Sequence, residues 1–130
     1  MKGVIFLLLL VILSLEVSAI AVASDYLVND TLELIRGASK LYGIRLQNPN
    51  DYEAAIRLDY DSTFMKVINY KEVYNLTPKE TGYSILFNVT APGNRGIYRT
   101  SYTASEVEPA GGGAVPIRLK VNRGFYIRVI

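Results

Sequence analysis

The chain has 130 residues, with 14 Lys and Arg against 12 Asp and Glu for a net charge of +2. This near-balance argues against a dedicated nucleic-acid binder. There is no histidine and no cysteine, which excludes a Ser-His-Asp triad, a cysteine nucleophile, a histidine base and the usual zinc ligands. Carboxylate, Lys or Tyr chemistry is all that remains. No catalytic residue, metal site or cofactor is expected, and the chain reads as a non-enzyme.

The first segment, residues 1–23, carries a positive charge at Lys2 and an apolar run from Val4 to Leu15. Small residues follow at Val17-Ser18-Ala19 and again at Ala21-Val22-Ala23. This is the layout of a secretory signal, and the mature chain is expected to begin near Ile20 or Ser24. An uncleaved anchor is the second reading, because residues 4–23 are just long enough to span a bilayer as a helix. Glu16 inside that span opposes it, at a cost of about 2.5 kcal/mol or more away from an interface. As a third reading, Lys2-Gly3 before the apolar run resembles the processing site of archaeal type IV pilin-like precursors, whose apolar helix is retained. Residues 24–130 then form one domain, long enough to bury a core without disulfides.

The mature part alternates with period two between turn clusters, which predicts strands. Leu32 and Leu34 share a face, and Arg36-Gly37-Ala38 turns the chain. Tyr42, Ile44 and Leu46 form the next inward set, closed by Asn48-Pro49-Asn50-Asp51. Ala54, Ile56, Leu58 and Tyr60 follow, and then two shorter apolar pieces, Phe64 to Ile68 and Val73 to Leu76. After Thr77-Pro78-Lys79-Glu80 comes the clearest strand, with Tyr83, Ile85, Phe87 and Val89 inward. Tyr98, Thr100, Tyr102 and Ala104 alternate next, and Glu108 to Gly113 reads as a flexible loop. Val115, Ile117, Leu119 and Val121 form a strand, which Asn122-Arg123-Gly124 is expected to turn into Phe125, Ile127 and Val129. The expected core is Ile44, Leu46, Ile56, Leu58, Tyr83, Ile85, Phe87, Tyr98, Ile117 and Leu119. The fold class is all-β, an antiparallel Ig-like sandwich of about seven to nine strands, preceded by a hydrophobic N-terminal helix.

The order of these features resembles the Ig-like domains of exported archaeal and bacterial proteins, NEW3-like or PapD/MSP-like. The residues that carry the likeness are Gly37 before a strand, Leu46-Gln47-Asn48, Leu76 to Glu80, Phe87 to Pro92 and Gly96-Ile97-Tyr98. The resemblance covers roughly residues 31–129. It implies a spacer, stalk or binding module, and it carries over no catalytic residue.

Three sequons make Asn29, Asn75 and Asn88 candidate glycan acceptors in an exported chain, with Asn75 the best placed, just before a turn. Asp59-x-Asp61-x-Thr63 resembles the opening of a calcium loop, but its glycine and closing glutamate are missing. Arg57, Arg99, Arg118, Lys120 and Arg128 take outward strand positions and would form one basic plate for polyanions if their strands share a sheet. Ordinary solvation and edge protection are the plain alternative. Arg123 to Ile130 and the stretch around Ile20 to Val28 are apolar and β-prone, so either could add to a neighbour's sheet. The sequence therefore predicts an exported, non-catalytic structural or interaction module, extracellular or in the cell envelope, with membrane contact only through residues 4–23. Its expected partners are other surface proteins or cell-wall polymers, with self-association through an edge strand, and not nucleic acid. A filament subunit and a carbohydrate-binding module are the alternatives.

Overall fold

The computed structural model describes residues 20–107 and 120–130. The hydrophobic segment up to residue 19, the loop from Glu108 to Gly113, and Val115, Ile117, Arg118 and Leu119 lie outside the described residues. The period-two runs become strands because each can turn one face to a core and the other to water. In chain order they are β1 (Ala21–Ser24), β2 (Thr31–Leu34), β3 (Ser39–Gln47), β4 (Ala54–Tyr60), β5 (Met65–Val67), β6 (Tyr74–Leu76), β7 (Tyr83–Thr90), β8 (Gly96–Val107) and β9 (Lys120–Val129). One sheet has the order β1-β3-β7-β5 and the other β2-β9-β8-β4-β6. The described residues are thus all-β, with nine strands in two sheets.

The inward faces meet in one core. Ile44, Ile56, Ile85, Phe87 and Ile127 are wholly buried, each contributing about 1.5–3 kcal/mol of transfer free energy. An aromatic cluster runs through the middle: Tyr42 lies 4.6 Å from Phe125 between ring centroids, and Phe87 lies 5.4 Å from Tyr102. Of the residues expected inward, Ile44, Leu46, Ile56, Leu58, Ile85 and Phe87 are buried. Tyr83 and Tyr98 pack only at the margin of the core. The Tyr98 hydroxyl reaches outward and donates to the Asn94 carbonyl at 3.0 Å.

The turns follow their residues. Gly37 takes φ +74° between β2 and β3, a conformation that a Cβ would strain. Asn48 is buried and joins two loops: its Nδ2 donates to the carbonyls of Tyr52 (2.8 Å) and Thr77 (3.0 Å), and its Oδ1 accepts from Asn50 N (3.1 Å).

Two expectations are corrected. Asn122-Arg123-Gly124 is not a hairpin: β9 runs through it without a break, and Gly124 pairs with Ser101. Close approach places the glycine here, since a Cβ would come within 3.1 Å of the Thr100 carbonyl oxygen and 2.9 Å of Arg99 Nη2. Nor is the sandwich wholly antiparallel, because β2 pairs with β9 in parallel, from Thr31 opposite Tyr126 to Leu34 opposite Val129. The chain leaves β1 in one sheet, bends through Asn29 and Asp30 at positive φ, and joins the other sheet as β2.

β1 begins inside the stretch that the sequence assigns to the N-terminal segment. It pairs antiparallel with β3, from Ala21 opposite Gln47 to Ser24 opposite Ile44, and it buries Val22. Ile20, just before it, is buried too. The next residue after the strand fastens it: Asp25 Oδ2 accepts from Gly43 N at 2.8 Å, and Asp25 N donates to the Gly43 carbonyl at 2.9 Å.

Candidate functional site

The outer face of the five-stranded sheet carries the residues expected to form a basic plate. Pairing registers fix their places. Arg57 of β4 faces Ser105 of β8, and Ser105 faces Lys120 of β9. Arg99 of β8 faces Tyr126 of β9, and Arg128 faces Ile97 on one side and Glu33 of β2 on the other. All four cations are exposed on one face.

They do not form a single patch. Lys120 and Tyr126 are six positions apart on one strand, or about 20 Å at the usual rise. Arg57 and Lys120 therefore sit at one end, and Arg99 and Arg128 at the other. Asp59 interrupts the space between, on the row of Thr103 and Asn122. Arg128 is also paired, with Nη1 3.4 Å from Glu33 Oε1, an exposed bridge of small energetic weight.

The Arg99–Arg128 end has a second component that the sequence reading did not single out. The Arg99 guanidinium lies over the Tyr126 ring, 5.4 Å from its centroid, and its Nη1 donates to the Tyr126 hydroxyl at 3.3 Å. Beside this pair stand Tyr26 at 88% exposure, Ile97 at 70% and Val28 at 66%. With Asn29, Glu33, Lys40 and Arg128 they line an open groove of about 760 Å³. A shallower hollow of about 480 Å³ continues it past Ile97 and Arg128 to Arg95 and Ile130. Large apolar side chains, two tyrosine rings and cations thus share one concave surface. The signal for it was present in the sequence as phase. Ile97 and Tyr126 occupy the outward parity of their strands, where solvation alone favours polar residues.

The other candidates fall elsewhere. Asn29 is exposed, in the positive-φ bend that borders the groove. Asn75 is exposed in the middle of the short β6, opposite Ala55 and just before the turn from Thr77 to Glu80. Asn88 is half-buried on the outer face of the four-stranded sheet, between Leu41 and Lys66. Asp61 Oδ1 accepts from Thr63 N in a local turn, and Asp51 bridges to Lys79 at 3.2 Å. Among the described residues no group of three acidic side chains is placed to hold a metal. In the segment from Arg123 to Ile130, Tyr126 to Val129 are paired on both sides, with β8 and β2, whereas Arg123 to Phe125 pair with β8 alone among the described residues. β1 is an edge strand of its sheet.

One internal polar group stands out. The Tyr102 hydroxyl is buried without a hydrogen-bond partner among the described residues. It borders a small polar cavity of about 60 Å³ with Ser24, Tyr42 and Arg123. The hydroxyls of Tyr42 and Ser24 lie near enough to influence its ionisation, but neither meets hydrogen-bond geometry. Burial pushes its phenol far above the ordinary range, with the neighbouring Tyr42 adding to the rise. The cavity is large enough, and polar enough in its walls, to hold a water molecule that would partner this hydroxyl.

By sequence, no family model matches the chain and no curated protein matches it. Solved structures share its fold. The ASH / PapD-like domain of human CEP192 superposes with a TM-score of 0.62 at 10% identity, over 85% of this chain and 84% of that one. A family 123 glycoside hydrolase from Clostridium perfringens gives 0.62 at 12% identity, over 86% of this chain but only 27% of that one. The Escherichia coli chaperone DraB gives 0.52 at 14%, over 85% of this chain and 54% of that one. At these identities the likeness shows the fold alone. It supports the PapD-like, Ig-like part of the resemblance and gives none to the archaeal or NEW3-type part.

Proposed function

We propose that the chain is an exported, non-catalytic interaction module of the cell surface, and that it engages acidic surface polymers through the groove between Tyr26 and Arg128. One observation carries this reading: Tyr26, Val28, Ile97 and Tyr126 are exposed together beside Arg99 and Arg128. An acidic sugar polymer offers both complements. Pyranose faces pack on tyrosine rings, and carboxylate or sulfate groups meet the guanidinium forks. The composition supports the non-catalytic part, since neither histidine nor cysteine is available to activate a nucleophile.

The test is retention on an immobilised acidic polysaccharide, with its uncharged counterpart as control. The wild-type protein is expected to be retained and to elute as salt rises past the point where the Debye length falls below about 8 Å. Changing Arg99 and Arg128 to Ser should abolish salt-sensitive retention, and changing Tyr26 and Tyr126 to Ala should weaken it at every salt concentration. Equal retention of all three proteins would remove the groove as a binding site.

A second reading, a filament subunit, is favoured by a different observation. β1 is a four-residue edge strand, at the N-terminal side of the domain. A strand so short can leave one molecule and complete another. Concentrated protein would then form polymers. A disulfide between cysteines placed at Ala23 and Arg45, which face each other across the β1–β3 ladder, would block them. Monomers at every concentration would dismiss this reading.

A further inference from the structure

We infer that processing cuts the Ala19–Ile20 bond, so that the mature chain begins at Ile20. The inference rests on the proposed export of the chain. The sequence offers two small-residue sites, ending at Ala19 and at Ala23, and both suit a signal peptidase. The described structure separates them by their products.

Cutting after Ala23 would discard Ile20, at 4% exposure, and Val22, at 6%, both members of the one hydrophobic core. It would also strip the β3 edge of three of its four partners, leaving only Ser24 opposite Ile44. The backbone groups of β3 that face β1 would then lose their ladder bonds. A core that loses two aliphatic side chains keeps a void along one margin. Cutting after Ala19 discards none of this, since the first strand residue is Ala21. The step itself is plain hydrolysis: water adds across the peptide bond, leaving a carboxylate on Ala19 and an amine on Ile20.

The experiment is export of the full-length chain from a Sec-competent host, with N-terminal sequencing and intact mass of the product. An N-terminus at Ile20 is expected. Ala23→Leu should leave that N-terminus unchanged, while Ala19→Leu should make uncut precursor accumulate. An N-terminus at Ser24 in a stably folded product would overturn the site while leaving export standing. Protein that keeps Met1, in membrane or cytosol, or that begins at Val4, would overturn the site together with the cleaved-signal reading.

Discussion

Asn48 shows how much one side chain can hold in this fold. Its amide satisfies two carbonyls and one N–H from two separate loops, and its own N–H donates to the Glu80 carbonyl at 2.9 Å. Asn48→Ala removes all three side-chain bonds and strips the Tyr52 carbonyl and the Asn50 N–H of this partner, while the Thr77 carbonyl keeps the Glu80 N–H at 3.2 Å; it is expected to cost about 1–3 kcal/mol in chemical denaturation. Asn48→Asp should be nearly as costly, because a carboxylate cannot donate to Tyr52 and Thr77. A second prediction concerns Glu106, which faces the inner side of β8 and whose carboxyl is pushed up by desolvation. A carboxyl raised in the folded state holds its proton longer there than in the unfolded chain. Its contribution is complete below the ordinary value of 4.5 and is lost as pH rises through the raised value. Glu106→Gln should therefore flatten the fall in stability above that pH and raise the melting temperature at neutrality. Neither role could be read from the sequence. Asn48 appeared there only as a turn former, because its partners Tyr52 and Thr77 are separated from each other along the chain. Glu106 gave no signal, since its burial depends on what folds over it.

Strands were legible where the alternation was long and flanked by proline or glycine turns, as in β3, β4 and β7. β9 was not, because Asn-Arg-Gly is a strong local hairpin signal and the evidence against it is nonlocal. β8 spans Gly96 to Val107, and its register needs a long partner. The phase held the clue: Val121, Phe125, Ile127 and Val129 keep one parity straight through the apparent turn. Gly124→Ala tests the account. The new methyl would meet the fixed Thr100 carbonyl at 3.1 Å and should cost about 1–3 kcal/mol as overpacking. The same change should push the Arg99 guanidinium off Tyr126, so weaker polysaccharide retention should accompany the loss of stability. β1 was only half legible: the stretch from Ile20 to Val28 reads as β-prone, but not as part of this domain's own sheet. Ile20 and Val22 continue the hydrophobicity of the segment before them, and only pairing with β3 tells a strand from a leader.

At the level of the whole molecule, charge proved less concentrated than strand parity suggested. The four described cations share a sheet face, but the register parts them into two pairs with Asp59 between. Changing Arg57 and Lys120 to Ser should leave polysaccharide retention almost unchanged, whereas Arg99 and Arg128 should account for nearly all its salt dependence. Parity tells which face a residue takes, but not how far along the sheet it lies. The groove was hidden for the same reason, since Tyr26, Ile97 and Tyr126 meet only after β2, β8 and β9 assemble. A chain trimmed to start at Ser24 should melt at least about 10 °C below one starting at Ile20, given two lost aliphatic side chains. Differential scanning calorimetry of the two would show it.

The parallel pairing of β2 with β9 also decides how the domain bears a load. Tension applied between Thr31 and Ile130 pulls Thr31 and Val129 apart along the strand axis, toward opposite ends of the same ladder. Every bond between the two strands is then strained together, in shear. Tension between Arg95 and Ile130 acts differently, because Gly96 and Val129 are neighbours at one end of an antiparallel pair, and their bonds would open one after another. In single-molecule pulling, the first geometry should yield at clearly higher force than the second.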